Sequence, residues 1–335
     1  MQRYQDKLNE FREAVLPTAS ALILTHDYPD PDSLASACGV SELLAFWGVG
    51  HTVMAYGGFI GRAENRAMVR FLNIKAVPFA LVHIGDFEKV ILVDCYPGRG
   101  NVSLPPNVPA HAVIDHHPGD PPPDAAFFHD IREDYGATAT IVTSYLLQAG
   151  CPIPPKLATA LFNGIKTDTD GMLRDATHDD VECYKALFDM MDHRLLSQIE
   201  APKRDAEFFR LIHTATESAA CYKNVGYVHL GAVTAPDSIA EMAELFHSWE
   251  KLEWIVCSGI FNNQIFYSIR SETSPLAGAH AESLAARFGG NGGGHAKAAA
   301  GKLPIIGDAQ TTAEMVRLAV IDVFGVADEE PERLL

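Results

Sequence analysis

At 335 residues, with 47% hydrophobic and 21% charged positions, the chain has the composition of a globular protein of about two compact lobes, which excludes disorder, collagen and coiled coil. A formal net charge of -17 excludes a global basic footprint for long duplex nucleic acid, so a phosphate-bearing ligand has to be held by a local cluster or by metal. The six cysteines stand far apart with no C-x-x-C pair, which excludes a zinc ribbon or disulfide scaffold and points to reduced, buried thiols.

The opening segment, MQRYQDKLNEFREAV, is charged from the outset, and no stretch of about 18 apolar residues follows it, so a soluble cytoplasmic protein with no membrane partner is expected. Apolar runs at 21–25 and 51–55 predict strands, and helical periodicity covers 34–47 and 64–72. Further strands are predicted at 89–93 and 111–114, each running straight into polar residues. This rhythm predicts a parallel sheet covered on both faces, with ligands beyond the carboxyl ends of the strands. The proline-rich stretch 118–124 reads as a surface loop. Helices are predicted at 138–149 and 157–166, then a helix-rich connector from 178 to about 216. A second α/β rhythm follows, with strands at 225–230, 253–260 and 264–270 and helices at 238–249 and 282–288.

Four acid and histidine clusters each follow a periodic segment. They are His26-Asp27-Tyr28-Pro29-Asp30-Pro31-Asp32, then Asp94, then Asp115-His116-His117, then Asp168-Thr169-Asp170. One such aspartate is ordinary turn chemistry. Four clusters converging at one sheet rim would repel one another unless cations were bound. Oxygen ligands outnumber imidazoles, which favours Mn²⁺ or Mg²⁺ over structural zinc, and roughly six ligands suffice for two ions. Two adjacent ions suit phosphoryl transfer, with a bridging hydroxide attacking phosphorus.

HDYPDPDS, VDC, DHHP and TDTD, in this order, resemble the four motifs of the DHH phosphoesterases, and GGNGGGHAKAAAG at 289–301 resembles the glycine-rich signature of the DHHA1 domain. The resemblance implies a DHH catalytic domain over 1–190, α/β with a mainly parallel sheet covered by helices on both faces. It implies a helical connector over 191–220 and a smaller α/β DHHA1 substrate-binding domain over 221–335, with the active site in the cleft between the domains. By resemblance, His26 and Asp30 hold one ion, Asp32, His116 and Asp168 hold the other, and Asp94 bridges them. His117 then faces the scissile phosphate. Arg270, Ser271 and the loop Gly292, Gly293, Gly294 and His295 take the substrate's terminal phosphate or nucleotide.

The implied cofactors are two Mn²⁺, with Mg²⁺ or Co²⁺ as substitutes. The implied reaction is hydrolysis of short oligonucleotides, or of linear or cyclic dinucleotides, to mononucleotides, with pAp as a further substrate. A homodimer is compatible with this reading. Two alternatives stand beside it: a polyphosphate hydrolase, and an inert nucleotide-binding sensor. The first motif departs from the family's N-P-D-G-D, with Tyr28 and Pro31 in place of Asn and Gly. The glycine signature carries an inserted Asn291 and an extra alanine, and Asp170 stands where glycine is common. Arg99, in the turn after Asp94, and Lys297 are further places where substrate phosphate could be met.

Overall fold

The computed structural model describes residues 2–98, 100–119, 126–294 and 296–334. Arg99, His295 and most of the proline-rich stretch lie outside the described residues. The chain divides into two compact units, Met1–Pro202 and Lys203–Leu335.

In the first unit α1 (Gln2–Val15) leads into β1 (Ser20–Leu24), α2 (Pro31–Phe46), β2 (His51–Tyr56), α3 (Ala63–Leu72) and β3 (Ala76–Pro78). Then come β4 (Lys89–Val93), β5 (Ala110–Asp115), β6 (Ala126–Ile131), α4 (Thr138–Ala149), α5 (Pro155–Asp168), α6 (His178–Phe188) and α7 (His193–Glu200). The six strands form one sheet in the order β3-β2-β1-β4-β5-β6, and every neighbouring pair is parallel. From β1 the chain steps outward one way and from β4 the other. The carboxyl ends of β1 and β4 therefore flank the crevice where open parallel sheets bind ligands.

Alternate residues of these strands enter different layers. Ile23, Ile91, Val93, Ile114 and Phe128 are buried with side chains of α1, α2, α4 and α5. Leu22, Leu24, Val90, Leu92 and Val113 are buried on the other side. Both parities are apolar because both faces are covered, which is why these strands read as unbroken apolar runs.

On the first face the cover is helical; on the second, where helices were also expected, the described residues provide an irregular cover. Leu22 and its neighbours pack against Phe79, Val82, Ile84 and Phe87, from two short 3-10 turns and their flanks, and against Val102, Leu104 and Val108. The β4–β5 connection contains Pro97, Pro105, Pro106 and Pro109, and no helix is assigned among its described residues. Proline lacks the backbone N–H a helix interior requires, so this crossover stays irregular and covers the sheet as a loop.

The second unit contains α8 (Ala206–Ser218), β7 (Ala220–Tyr222), β8 (Val225–Ala232), α9 (Asp237–His247), β9 (Trp254–Phe261) and β10 (Gln264–Ser271). It continues with α10 (Ala277–Phe288), β11 (Asn291–Gly294), β12 (Ala298–Pro304), α11 (Ala309–Val323) and β13 (Glu332–Arg333). Its sheet runs β11-β12-β10-β9-β8-β7-β13, with β8 and β9 parallel and the other recorded pairs antiparallel. Here helices do pack on both faces. Tyr227, Val256 and Tyr267 meet α10 and α11, while Val228, Ile255 and Cys257 meet α8 and α9.

The expected glycine loop is a strand, in which Gly292 pairs with Gly301 and Gly293 with Ala300. A Cβ at Gly292 would stand 2.2 Å from the Tyr267 hydroxyl, which donates to the Ala281 carbonyl at 2.6 Å. That glycine is therefore needed by the fold itself, since β11 closes over the Tyr267 ring.

Pro31, the second departure in the first motif, has a local reason. Asp30 caps α2 by accepting from the Ser33 amide at 2.9 Å, and Pro31 occupies the first turn. A helix has no use for an N–H at that position, and the fixed φ of proline suits it. Pro31→Gly is expected to lower stability by about 1 kcal/mol, mainly by loosening the unfolded chain, while leaving metal affinity unchanged. Thermal melts with and without Mn²⁺ check this, and an unchanged melting temperature would contradict it.

Candidate metal centre

Each side chain of the centre is delivered by an element end. His26 follows β1, Asp30 and Asp32 open α2, Asp94 directly follows β4, His116 and His117 follow β5, and Asp168 ends α5. Their ligand atoms fall into three overlapping groups, each within 4.8 Å: His26, Asp30 and Asp94; Asp32, His116 and Asp168; and Asp94, His116 and His117. The six residues expected to hold metal are thus brought together, with Asp94 shared by two groups. Asp170 is exposed and belongs to none of them.

The imidazoles are set for ligation by their second nitrogens. A carbonyl oxygen can only accept, so Nδ1 of His26 donates to the Asp27 carbonyl at 2.9 Å and Nδ1 of His116 donates to that of Tyr135 at 3.0 Å. In the neutral rings this leaves each Nε2 with a lone pair aimed into the cluster. Nε2 of His26 is 3.4 Å from Asp94 Oδ2, and Nε2 of His116 is 3.1 Å from Asp168 Oδ2. Among the described residues, Asp94 Oδ2 and His116 Nε2 are buried with no hydrogen-bond partner. Buried polar atoms of this kind call for a ligand, and a mixed oxygen and imidazole set suits a hard or borderline divalent cation.

The N-terminus of α4 tolerates part of the negative charge. Asp32 is fully buried, and its carboxylate accepts from the amides of Thr138 at 2.7 Å and Ala139 at 2.8 Å, at the start of α4. These are two of the orphan donors that every helix start presents, and they favour an anion there. The Thr138 hydroxyl donates to Asp94 Oδ1 at 2.8 Å. Asp94 itself has φ 60, a left-handed conformation that a short polar side chain tolerates.

Asp115, the first residue of the DHH triplet, has a different task. Its Oδ1 accepts from the amides of His116 at 2.8 Å and His117 at 3.1 Å, and from His117 Nδ1 at 2.8 Å. It joins none of the ligand groups and instead fixes the loop and the ring of His117. Sequence reading placed Asp115 in the cluster without assigning it a role and missed Thr138 altogether. The signal for Asp115 was its place before two histidines, since a buried carboxylate there can satisfy the amides of the turn. Thr138 gives no comparable sign.

Without cations the cluster stores protons. Burial lowers the affinity of His116 for a proton, but Asp168, Asp94 and Asp32 overcome this and carry its pKa to about 11. His26 is likewise raised, against burial, by Asp30 and Asp94. Burial raises the Asp168 carboxyl to about 6, with Asp30 and Asp94 adding to it against the pull of His116. Burial pushes Asp94 up, yet His26, His117 and His116 hold it well below the usual carboxylate range. An imidazole must lose its proton to bind metal, so cation binding at pH 7 is expected to release protons, and affinity is expected to rise with pH. Calorimetric titration with Mn²⁺ in buffers of different ionisation enthalpy measures the release, and identical heats in all buffers would contradict it.

Arg270 and Ser271, expected to take the substrate's terminal phosphate, lie in the second unit. Arg270, near the end of β10, donates to Glu244 Oε1 at 3.0 Å, Ser268 Oγ at 2.7 Å and the Ile269 carbonyl at 3.0 Å. The Ser271 hydroxyl accepts from the Ser274 amide at 3.0 Å. Among the described residues no helix is long and apolar enough to cross a membrane.

Comparison with known proteins matches residues 20–165 to the DHH family, N-terminal domain, and residues 222–320 to the DHHA1 domain. An uncharacterized protein of Methanocaldococcus jannaschii is 32% identical over 322 residues, covering 93% of this chain and 66% of the relative. An A-adding tRNA nucleotidyltransferase of Geobacter sulfurreducens is 26% identical over 299 residues, covering 83% of this chain and 32% of that protein. The chain thus spans about two thirds of one relative's length and one third of the other's. Among solved structures, an exopolyphosphatase-related protein of Bacteroides fragilis shares the fold, with a TM-score of 0.75, 13% identity and coverage of 97% of this chain and 98% of that one.

Proposed function

Since the chain belongs to the DHH family of phosphoesterases and carries a DHHA1 domain, we propose that it hydrolyses short oligonucleotides or dinucleotides to mononucleotides with two divalent cations, Mn²⁺ foremost. The observation that carries this reading is the convergence of His26, Asp30, Asp32, Asp94, His116 and Asp168 around buried atoms that have no hydrogen-bond partner among the described residues. In the proposal, His26 and Asp30 would hold one cation and Asp32, His116 and Asp168 the other, with Asp94 available to either. When bound, such cations supply an activated water at neutral pH and neutralise charge at phosphorus.

The chain's own residues do the rest. Asp115 orients His117 through Nδ1, so the Nε2 of His117 is left to bind a phosphoryl oxygen or to give the leaving oxygen a proton. Asp32 and Asp94 stay in place because Thr138 and Ala139 hold them. Arg270, Ser271 and Gly292 to Gly294 are proposed to take a terminal phosphate, for which Arg270 must exchange its Glu244 contact for the ligand. The acidic net charge supports short substrates, because long polyanions are repelled outside the site.

Hydrolysis of polyphosphate is the second reading. It uses the same cluster, and the Bacteroides relative of shared fold is described as exopolyphosphatase-related. A panel of pApA, cyclic di-AMP, cyclic di-GMP, pAp and polyphosphate, run with Mn²⁺, separates the two. Preference for pApA or pAp supports the proposal, and preference for polyphosphate overturns it.

A further inference from the structure

Tyr28, in the first motif, has no task in the proposed chemistry. It stands two residues from His26 and two from Asp30, so at most about 7 Å of backbone separates it from either. Its φ of 59 is left-handed. A bulky side chain adopts that conformation only where its surroundings hold it, and such positions gather at functional sites.

The surroundings here do hold it. The Tyr28 amide donates to the Gly57 carbonyl at 3.0 Å. Its ring lies over Gly58, where a Cβ would come within 2.7 Å of the ring carbons. The ring also meets Phe59 edge-on, with centroids 5.2 Å apart and planes at 90°. Even so, Tyr28 remains 55% exposed, and no hydrogen bond of its hydroxyl is found among the described residues.

Neither capping nor core packing accounts for this ring, because Asp30 and Pro31 already begin α2. Phosphoryl groups give an aromatic face nothing to hold, whereas every nucleobase has a π-face. The geometry points to Tyr28, backed by Phe59, as a wall on which the base next to the scissile phosphate stacks. This assigns nucleotide esters, rather than polyphosphate, to the centre, and it rests on the phosphoester hydrolysis proposed above.

The test compares wild type, Tyr28→Asn and Tyr28→Phe, each with Mn²⁺, on pApA, on the same dinucleotide with both bases removed, and on polyphosphate. Asparagine tolerates the left-handed backbone better than tyrosine, so Tyr28→Asn removes the ring without threatening the fold. Its melting temperature should equal or exceed that of wild type. Tyr28→Asn should lose about 10- to 100-fold in kcat/KM on pApA, chiefly through KM. It should lose nothing on the abasic dinucleotide, and Tyr28→Phe should behave as wild type on both.

An equal loss on the two dinucleotides overturns the wall and makes Tyr28 a scaffold of the motif. So does a wild type that cleaves pApA and its abasic analogue equally well, or polyphosphate faster than either. A wild type inactive on all three substrates overturns the hydrolase reading itself, so the two failures are distinguishable.

Discussion

Asp94→Asn should lower dinucleotide turnover by about 10³-fold or more, with the protein still folded, as for loss of a preorganised electrostatic stabiliser. Asn is the better substitution than Ala because Asp94 sits at φ 60, where an alanine would add backbone strain to the loss of charge. The amide can still accept from the Thr138 hydroxyl, so that contact with α4 is kept. What disappears is the anion that faces three imidazoles, with His26 at 3.4 Å, His117 at 3.6 Å and His116 at 3.7 Å.

Asp27→Ala is the matched control. The Asp27 carboxylate accepts from the Ser103 hydroxyl at 2.7 Å and belongs to no ligand group, so its loss should be mild. Similar rates for the two variants would remove Asp94 from its shared position.

The second large effect is expected at Asp115, which belongs to none of the ligand groups but holds His116 and His117. Removing it in Asp115→Ala leaves three N–H donors without their carboxylate and frees the ring of His117. Partners that orient metal-site residues are typically worth about 10- to 100-fold. A fall of about 10²-fold in kcat is therefore expected, with metal affinity less affected.

The pH profile gives a separate readout. Burial lowers the His117 pKa, and Asp115 and Asp94 more than reverse that and raise it. Without Asp115 the imidazolium is less favoured, so the protonated form is lost at lower pH. If His117 gives up a proton in turnover, the alkaline limb of kcat moves to lower pH in this variant. A large loss of kcat with the limb unmoved would mean that Asp115 only supports the loop.

Much of this centre was legible in the sequence, for a physical reason. In a parallel sheet the carboxyl ends of the strands lie at one rim, so polar residues directly after apolar runs are placed together by the fold. His26, Asp94 and His116 follow β1, β4 and β5 in this way, and Asp168 ends a helix whose apolar face is buried with them.

What escaped the sequence depends on contacts between distant segments. Thr138 matters because the start of α4 meets Asp32 and Asp94, residues 106 and 44 positions away. Helix α1 had no counterpart among the predicted elements, since Leu8, Phe11 and Val15 form only a thin apolar stripe in a charged segment. The glycine signature reads as a loop from composition, but pairing with β12 makes it a strand. The irregular cover of the second sheet face escapes the α/β rhythm because Pro97, Pro105, Pro106 and Pro109 keep the β4–β5 connection from forming a regular helix.

The central claim is that the buried cluster is built for divalent cations. It is tested most directly by hydrolysis of pApA by protein stripped with EDTA and then titrated with Mn²⁺. The account predicts that stripping abolishes activity and that activity returns, reaching its plateau near two equivalents of Mn²⁺ per chain. Full activity surviving exhaustive chelation would contradict it.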